Sequence, residues 1–188
     1  CFRDEDFRSD RQPEFTQIDI ECSFVSQEDI ISLGTNLVRY IWKEVLNVNL
    51  PNDFTVLSYE EAMNKYGSDK PDLRFDMPLQ DFHNFVNQSD FNVFKTTIEK
   101  GGIVKAIVCP NGGNYSRKII EELTVFVKDY HHAKGLAFMK CVDGKLESGI
   151  SKFFNQDLQC KIINNLKVSN NDIIFLIGDE KKITLEAL

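Results

Sequence analysis

From Glu14 to Phe24 the chain alternates like a strand with two unlike faces. Thr16, Ile18, Ile20 and Cys22 fall on one side, and Phe15, Gln17, Asp19 and Glu21 on the other. The first side is oily and asks to be buried. The second carries a ring, an amide and two carboxylates, groups that cost free energy to half-bury unless a ligand or partner satisfies them. Upstream, Asp4 to Pro13 is a charged, turn-forming run, with Arg3 just before it and Arg8 and Arg11 within it. Cys1-Phe2-Arg3 reads as the tail of a strand. The opening stretch therefore reads as strand, charged loop, strand, with an open face suited to recognition.

Phe2-Arg3-Asp4-Glu5, a loop, and then Arg11-x-x-x-Phe15-x-x-x-Asp19 resembles the second sequence motif of class II aminoacyl-tRNA synthetases, fRxE, loop, (R/H)xxxFxxxD. The wording between the anchors, DEDFRSDRQPEFTQID, is close to the phrase found in aspartyl-tRNA synthetases of the bacterial type. A second phrase, YGSDKPDLRF from Tyr66 to Phe75, resembles the segment that follows that motif in the same enzymes, in the same order and at about the same distance. Without the resemblance, Ser68, Asp69, Lys70 and Asp72 would read as a solvated loop. Pro71 turns Lys70 away from helical geometry, and Gly67 permits a sharp turn.

Bulk properties narrow the setting. The 188 residues suit one domain or one and a half. No apolar run approaches a membrane span and no signal-peptide core opens the chain, so a cytoplasmic protein with no membrane partner is expected. Five dispersed cysteines without a CxxC pair argue for reduced thiols and against a zinc site. A net charge of -7 argues against broad non-specific nucleic-acid binding, while a local basic loop can still touch phosphate. The chain has no starting Met, opens inside what reads as a strand and closes on a helical pattern just beginning. It is expected to be an excised piece of a larger protein.

Taken in order, Ser26-x-x-Asp29 has capping-box spacing and opens a helix to about Val45. Ile30, Leu33, Leu37, Ile41 and Val45 form a stripe that predicts one buried face. Phe54 to Leu57 reads as a short strand, and Ser58-x-x-Glu61 as a second capping box whose helix stops at Gly67. From about Asp76 the rest reads as a compact α+β unit. Leu79 to Val86 is a short helix or an extended entry. Phe91 to Ile98 and Ile103 to Val108 read as two strands joined by a hairpin at Lys100-Gly101-Gly102. Ser116 caps a helix to about Tyr130, and Gly135 to Val142 is a strand ending in an Asp143-Gly144 turn. Ile150 to Phe154 and Asp157 to Leu166 read as helical, Asp172 to Ile177 as an apolar strand, and Glu180 opens a last helix. This part resembles the insertion domain, called GAD, of bacterial-type aspartyl-tRNA synthetases, which tRNA-dependent amidotransferase subunits share. The wording concerned is Leu123 to Phe138 and DIIFLIGD from Asp172 to Asp179.

The fold class expected is α+β: part of the class II antiparallel-sheet catalytic domain over 1–75, a GAD-like insertion domain over 76–179, and the start of the return to the catalytic domain over 180–188. The resemblance implies an aspartate–tRNA ligase with ATP and Mg²⁺ as co-substrates, and with aspartate and the acceptor end of tRNA as partners. Arg3 would meet the α-phosphate and the substrate carboxylate as the catalytic arginine. A planar, permanently charged guanidinium suits charge developing on phosphate. Glu5 would help hold the adenine and the tRNA end, and Arg8 at the loop's tip would touch the tRNA acceptor end. Arg11 would reach the outer phosphates, Gln12 would lie near ATP, and adenine would stack on Phe15. Asp19 would hold the ammonium group of aspartate.

The blander readings are a surface Arg–Glu pair for Arg3 and Glu5, and a core ring for Phe15. His83, His131 and His132 lack partners at catalytic or metal-ligating spacing, and His131-His132 follows a helix end where a cation is favourable. Cys109 and Cys141 read as core, and neither Gly-Gly pair matches a phosphate loop. No metal-binding residue is expected in this stretch, because the family's magnesium carboxylates, first and third motifs and anticodon-binding domain lie outside it. The piece alone is therefore expected to be inactive and its parent to be a homodimer. The rival is a non-catalytic RNA- or partner-binding module built on the insertion domain, which leaves the first phrase unexplained. A weaker option is a paralogue that makes the adenylate and charges no tRNA.

Overall fold

The computed structural model describes residues 1–6 and 8–188, which divide into two compact units, Cys1–Val56 and Leu57–Leu188. The first holds a single long helix, α1 (Gln27–Leu46). Ser26 caps it through a reciprocal capping box with Asp29, and Asn47 closes it in the left-handed conformation. The stripe that predicts this helix is correct about its shape. It is not correct about burial, since no residue of α1 is buried and Val45 remains 73% exposed.

The expected strand at Glu14–Phe24 does not form. Among the described residues its only pairing is one antiparallel bridge, Phe2 to Glu14. Ile18 and Ile20, expected to face a core, stand 69% and 50% exposed. Alternation prepares a segment to be a strand, but a strand forms only when its backbone pairs along its length, and a single bridge is not such a ladder. Phe54–Leu57 likewise forms no strand.

The second unit is built on a sheet of five strands, β1 (Gln80–Asp81), β2 (Ile103–Cys109), β3 (Ala137–Val142), β4 (Lys145–Glu147) and β5 (Ile173–Asp179), in the order β1-β2-β5-β3-β4. Every pairing is antiparallel. The strand β5 is central and pairs with β2 along its whole length, from Ile103 opposite Asp179 to Cys109 opposite Ile173. It is apolar on both faces because both faces are covered. Ile174 and Leu176 join Phe82, Phe94, Met139, Leu158 and Ile162 in the larger core. That core is closed by α3 (His83–Asn87), α4 (Asn92–Glu99) and α6 (Gln156–Leu166). Ile173, Phe175 and Ile177 face the opposite layer, where α5 (Arg117–His131) contributes Ile120 and Val127 and α7 (Lys181–Ala187) contributes Ile183 and Ala187. A short helix, α2 (Tyr59–Tyr66), leads into this unit and ends at Gly67 in the left-handed conformation. A Cβ at Gly67 would run into the carbonyl of Leu185 in α7, so both the turn and the packing require glycine there.

Most of the expected elements recur here, with one correction. Phe91–Ile98, read as a strand, is helix α4. Its β-branched residues favour a strand, yet Phe91, Phe94 and Ile98 sit at helical spacing and pack against the larger core. Lys100-Gly101-Gly102 is accordingly a helix-to-strand link and not a hairpin. Gly101 takes φ +83°, and a Cβ on Gly102 would stand 2.7 Å from the Asp179 carbonyl. The Asp143-Gly144 turn does join a hairpin, β3 to β4, and both residues have positive φ as a tight two-residue turn requires. Leu79–Val86 resolves into β1 followed by α3.

Candidate functional site

The charged loop is held at its base by the Phe2–Glu14 bridge. Arg3 N–H donates to the Pro13 carbonyl (2.9 Å) and Phe15 N–H to the Cys1 carbonyl (3.0 Å). At its far end Arg11 N–H donates to the Arg8 carbonyl (3.2 Å), closing a turn. These fixed points bring Arg3 beside Phe15, which is half-buried, with the guanidinium carbon 5.3 Å from the ring centroid. That distance is a cation–π contact. They also bring Arg11 toward carboxylates, 3.8 Å from Glu5 and 4.0 Å from Asp10. Glu5 is the more enclosed partner, its side chain 26% exposed against 48% for Arg11.

Of the residues singled out in the sequence, the structure thus joins Arg3 with Phe15 and Glu5 with Arg11. Arg8 is exposed at the turn, and Gln12 and Asp19 are exposed. Among the described residues no side-chain hydrogen bond or ion pair ties Gln12 or Asp19 to the two pairs. Asp10 is the residue that sequence reading passed over. Its adjacency to Arg11 was the available signal, and on its own it does not distinguish a partner from a solvated acid.

The second phrase forms a tightly turned loop, as its Gly and Pro require. Within it Asp72 accepts from the backbone N–H and Nε of Arg74, at 3.0 and 2.9 Å. These hydrogen bonds hold the Asp72 carboxyl at about 2, well below the usual carboxylate range. The aspartate carries its counter-ion two residues away, so its charge is already spoken for, while Ser68, Asp69 and Lys70 keep polar groups on the same loop.

The histidines do not assemble a site. His131 packs on the edge of the Phe126 ring and His132 closes α5 in the left-handed conformation. Cys141 is buried, its thiol pushed up by desolvation and then by Asp172, and Cys109 is half-buried beside the Tyr115 hydroxyl. Among the described residues no group of three or more His, Cys, Asp or Glu could hold a metal ion, and no helix is long and apolar enough to cross a membrane.

The chain is 45% identical over 189 residues to an aspartate–tRNA(Asp/Asn) ligase of Desulfatibacillum aliphaticivorans, covering all of this chain and 32% of that protein. It is 48% identical to an aspartate–tRNA(Asp/Asn) ligase of Persephonella marina, covering all of this chain and 31% of that protein. It is 46% identical to an aspartate–tRNA ligase of Clostridium novyi, again over the whole chain and 32% of the relative. The chain therefore spans about a third of the length of the curated relatives it matches. Residues 1–178 match the model of the class II tRNA synthetases for D, K and N, and it is to this family that the chain belongs.

Proposed function

We propose that the chain is the part of an aspartate–tRNA ligase that carries the nucleotide-binding loop and the inserted domain. The observation that carries this reading is the loop itself. One bridge and one turn gather two arginines, a ring and a carboxylate, in a chain whose relatives are named as aspartate–tRNA ligases. In the parent, a carboxylate oxygen of aspartate attacks the α-phosphorus of ATP. A P–O bond forms, the bond to pyrophosphate breaks, and aspartyl-adenylate remains. A terminal hydroxyl of tRNA then takes the aspartyl group and AMP leaves.

Arg3 is the residue for the charge that builds on the α-phosphate and for the substrate carboxylate. Loss of one such fixed donor costs on the order of 100- to 1000-fold in kcat. Arg11 meets the outer phosphates, Phe15 carries the adenine, and Gln12 lies beside the nucleotide. Glu5 holds the base and, with Arg8, the tRNA end, while Asp19 pairs with the ammonium group of aspartate. Magnesium would enter with ATP and neutralise its phosphates, but the described residues offer no carboxylate cluster for it, so none of them is assigned to hold it. In this reading the catalytic part covers 1–75, the GAD-like domain 76–179 and the return 180–188. The parent acts in the cytoplasm as a homodimer.

Aspartate-dependent exchange of pyrophosphate into ATP tests the reading. The full-length parent is expected to exchange with aspartate and the 188-residue chain alone to be silent, since a partial site cannot preorganise a transition state. A parent that exchanges with no amino acid overturns the assignment.

A further inference from the structure

The two contacts of the loop share a property that neither shows alone. Two residues to which the proposed function gives a part of ATP, Phe15 and Arg11, are each already in contact with a charged side chain of the same loop. Phe15, the platform for a flat, electron-poor base, has the flat cation of Arg3 over its ring at 5.3 Å. Arg11, the partner for outer phosphates, has the carboxylates of Glu5 and Asp10 at 3.8 and 4.0 Å. A guanidinium and an adenine compete for the same ring face, and a carboxylate and a phosphate compete for the same guanidinium.

We propose that, before nucleotide arrives, the loop occupies its own nucleotide site. Arg3 stands on Phe15 in the place of adenine, Glu5 with help from Asp10 stands on Arg11 in the place of the outer phosphates, and ATP exchanges both contacts at once. This rests on the roles given to Arg3, Arg11 and Phe15 above. The device has two consequences. The loop is kept in register by its base bridge while its side chains remain paired, so the arginines do not repel one another in the empty site. The same exchange moves Arg3 off the ring as the base lands on it, which frees the guanidinium for the α-phosphate. The distances at Arg11 are those of a loose ion pair, half exposed to solvent, and such a pair yields readily to a ligand of higher charge.

Inorganic pyrophosphate is the probe that separates the two roles of Glu5, because it carries no base for Glu5 to hold. Its dissociation constant is measured by calorimetry on the full-length parent and on its Glu5→Gln, Asp10→Asn and Asp4→Asn variants. Removing the placeholder is expected to tighten pyrophosphate about threefold in Glu5→Gln, and less in Asp10→Asn, in line with the modest worth of exposed pairs. Asp4→Asn, which removes the same charge from the same loop without touching a contact to Arg11, is expected to leave it unchanged. ATP gains less than pyrophosphate in Glu5→Gln, because the base loses a partner at the same time. An unchanged or weakened pyrophosphate affinity in Glu5→Gln overturns the proposal. Equal tightening in Asp4→Asn also overturns it, since the effect would then be general charge and not a placeholder. A wild-type parent that binds neither ATP nor pyrophosphate instead brings down the functional reading, and this inference with it.

Discussion

Helices α1 and α5 are written in the same local language and meet different fates. Each begins at a serine cap, ends on a left-handed residue and carries apolar residues at intervals of three and four. In α5 that stripe puts Ile120 and Val127 against β5 and α7, whereas in α1 not one residue is buried. Local pattern decides that a segment is a helix, and a surface of matching shape decides whether its stripe is buried. The second unit brings its own surface, a five-stranded sheet covered on both faces. Among the described residues of the first unit, strand pairing is limited to the Phe2–Glu14 bridge.

The contrast breaks most plainly under core truncation. Phe82 is fully buried and packs against Phe85 and Phe154, so Phe82→Ala is expected to destabilise the second unit by about 3–5 kcal/mol. Ile41 in α1 is 40% exposed, and Ile41→Ala is expected to cost under about 1 kcal/mol in the same 188-residue chain. Denaturant unfolding followed by near-UV circular dichroism measures both. A comparable loss from the two substitutions would mean that α1 is packed after all.

A smaller effect sharpens the picture of what holds the second unit together. Asp179 ends β5 with its side chain 2% exposed. It accepts from Lys134 N–H (3.1 Å), Lys134 Nζ (2.7 Å) and Glu180 N–H (2.9 Å). Burial alone would raise its pKa, but these donors together outweigh desolvation and hold it below the ordinary value. A carboxyl with a depressed folded pKa adds stability above its unfolded pKa, near 4, and that stability fades as pH falls through the folded value. Asp179→Asn is expected to cost about 2 kcal/mol at neutral pH and less at pH 3, so the pH dependence of unfolding flattens. An unchanged acid limb in the variant would assign that limb to other carboxylates.

How much of this was legible in the sequence follows the same division. Helices α1, α2 and α5 were marked by their serine caps, and β5 by its unbroken apolar run, because those signals are local. The strand reading of Phe91–Ile98 took Lys100-Gly101-Gly102 as a hairpin turn, whereas Phe91, Phe94 and Ile98 recur at helical spacing and are the residues that pack against the core. The strand expected at Glu14–Phe24 differs for the opposite reason: its alternation is sound, but among the described residues only Glu14 pairs with another segment. At the candidate site, the fixed spacing of Arg3, Glu5, Arg11 and Phe15 singled out the residues but not their mutual contacts. Those contacts depend on side-chain directions that only the bridge and turn determine. Asp10 was invisible for that reason, and nothing local separates it from the other acids of the loop.

The finest probe of the comparison is at the caps. Ser26 Oγ accepts from Asp29 N–H at the start of α1, and Ser116 Oγ accepts from Ile119 N–H at the start of α5, both at 3.3 Å. Each serine is replaceable by alanine at a local cost of about 1 kcal/mol. The serine-to-backbone bond is the same at both caps, and α1 has the Asp29 half of its capping box besides, so a wider effect at Ser116 than at Ser26 reports on what α5 is attached to. Ser116→Ala is expected to lower the stability of the whole second unit by that amount, because the first turn of α5 leads directly into buried Ile120 and cannot fray without exposing it. Ser26→Ala is expected to speed amide hydrogen exchange in the first turn of α1 by about fivefold and to fade toward Leu46, because no buried side chain ties one turn of that helix to the next. Exchange that accelerates uniformly from Gln27 to Leu46 would contradict this. It would show that α1 opens as one cooperative body, held by contacts that its exposure does not reveal.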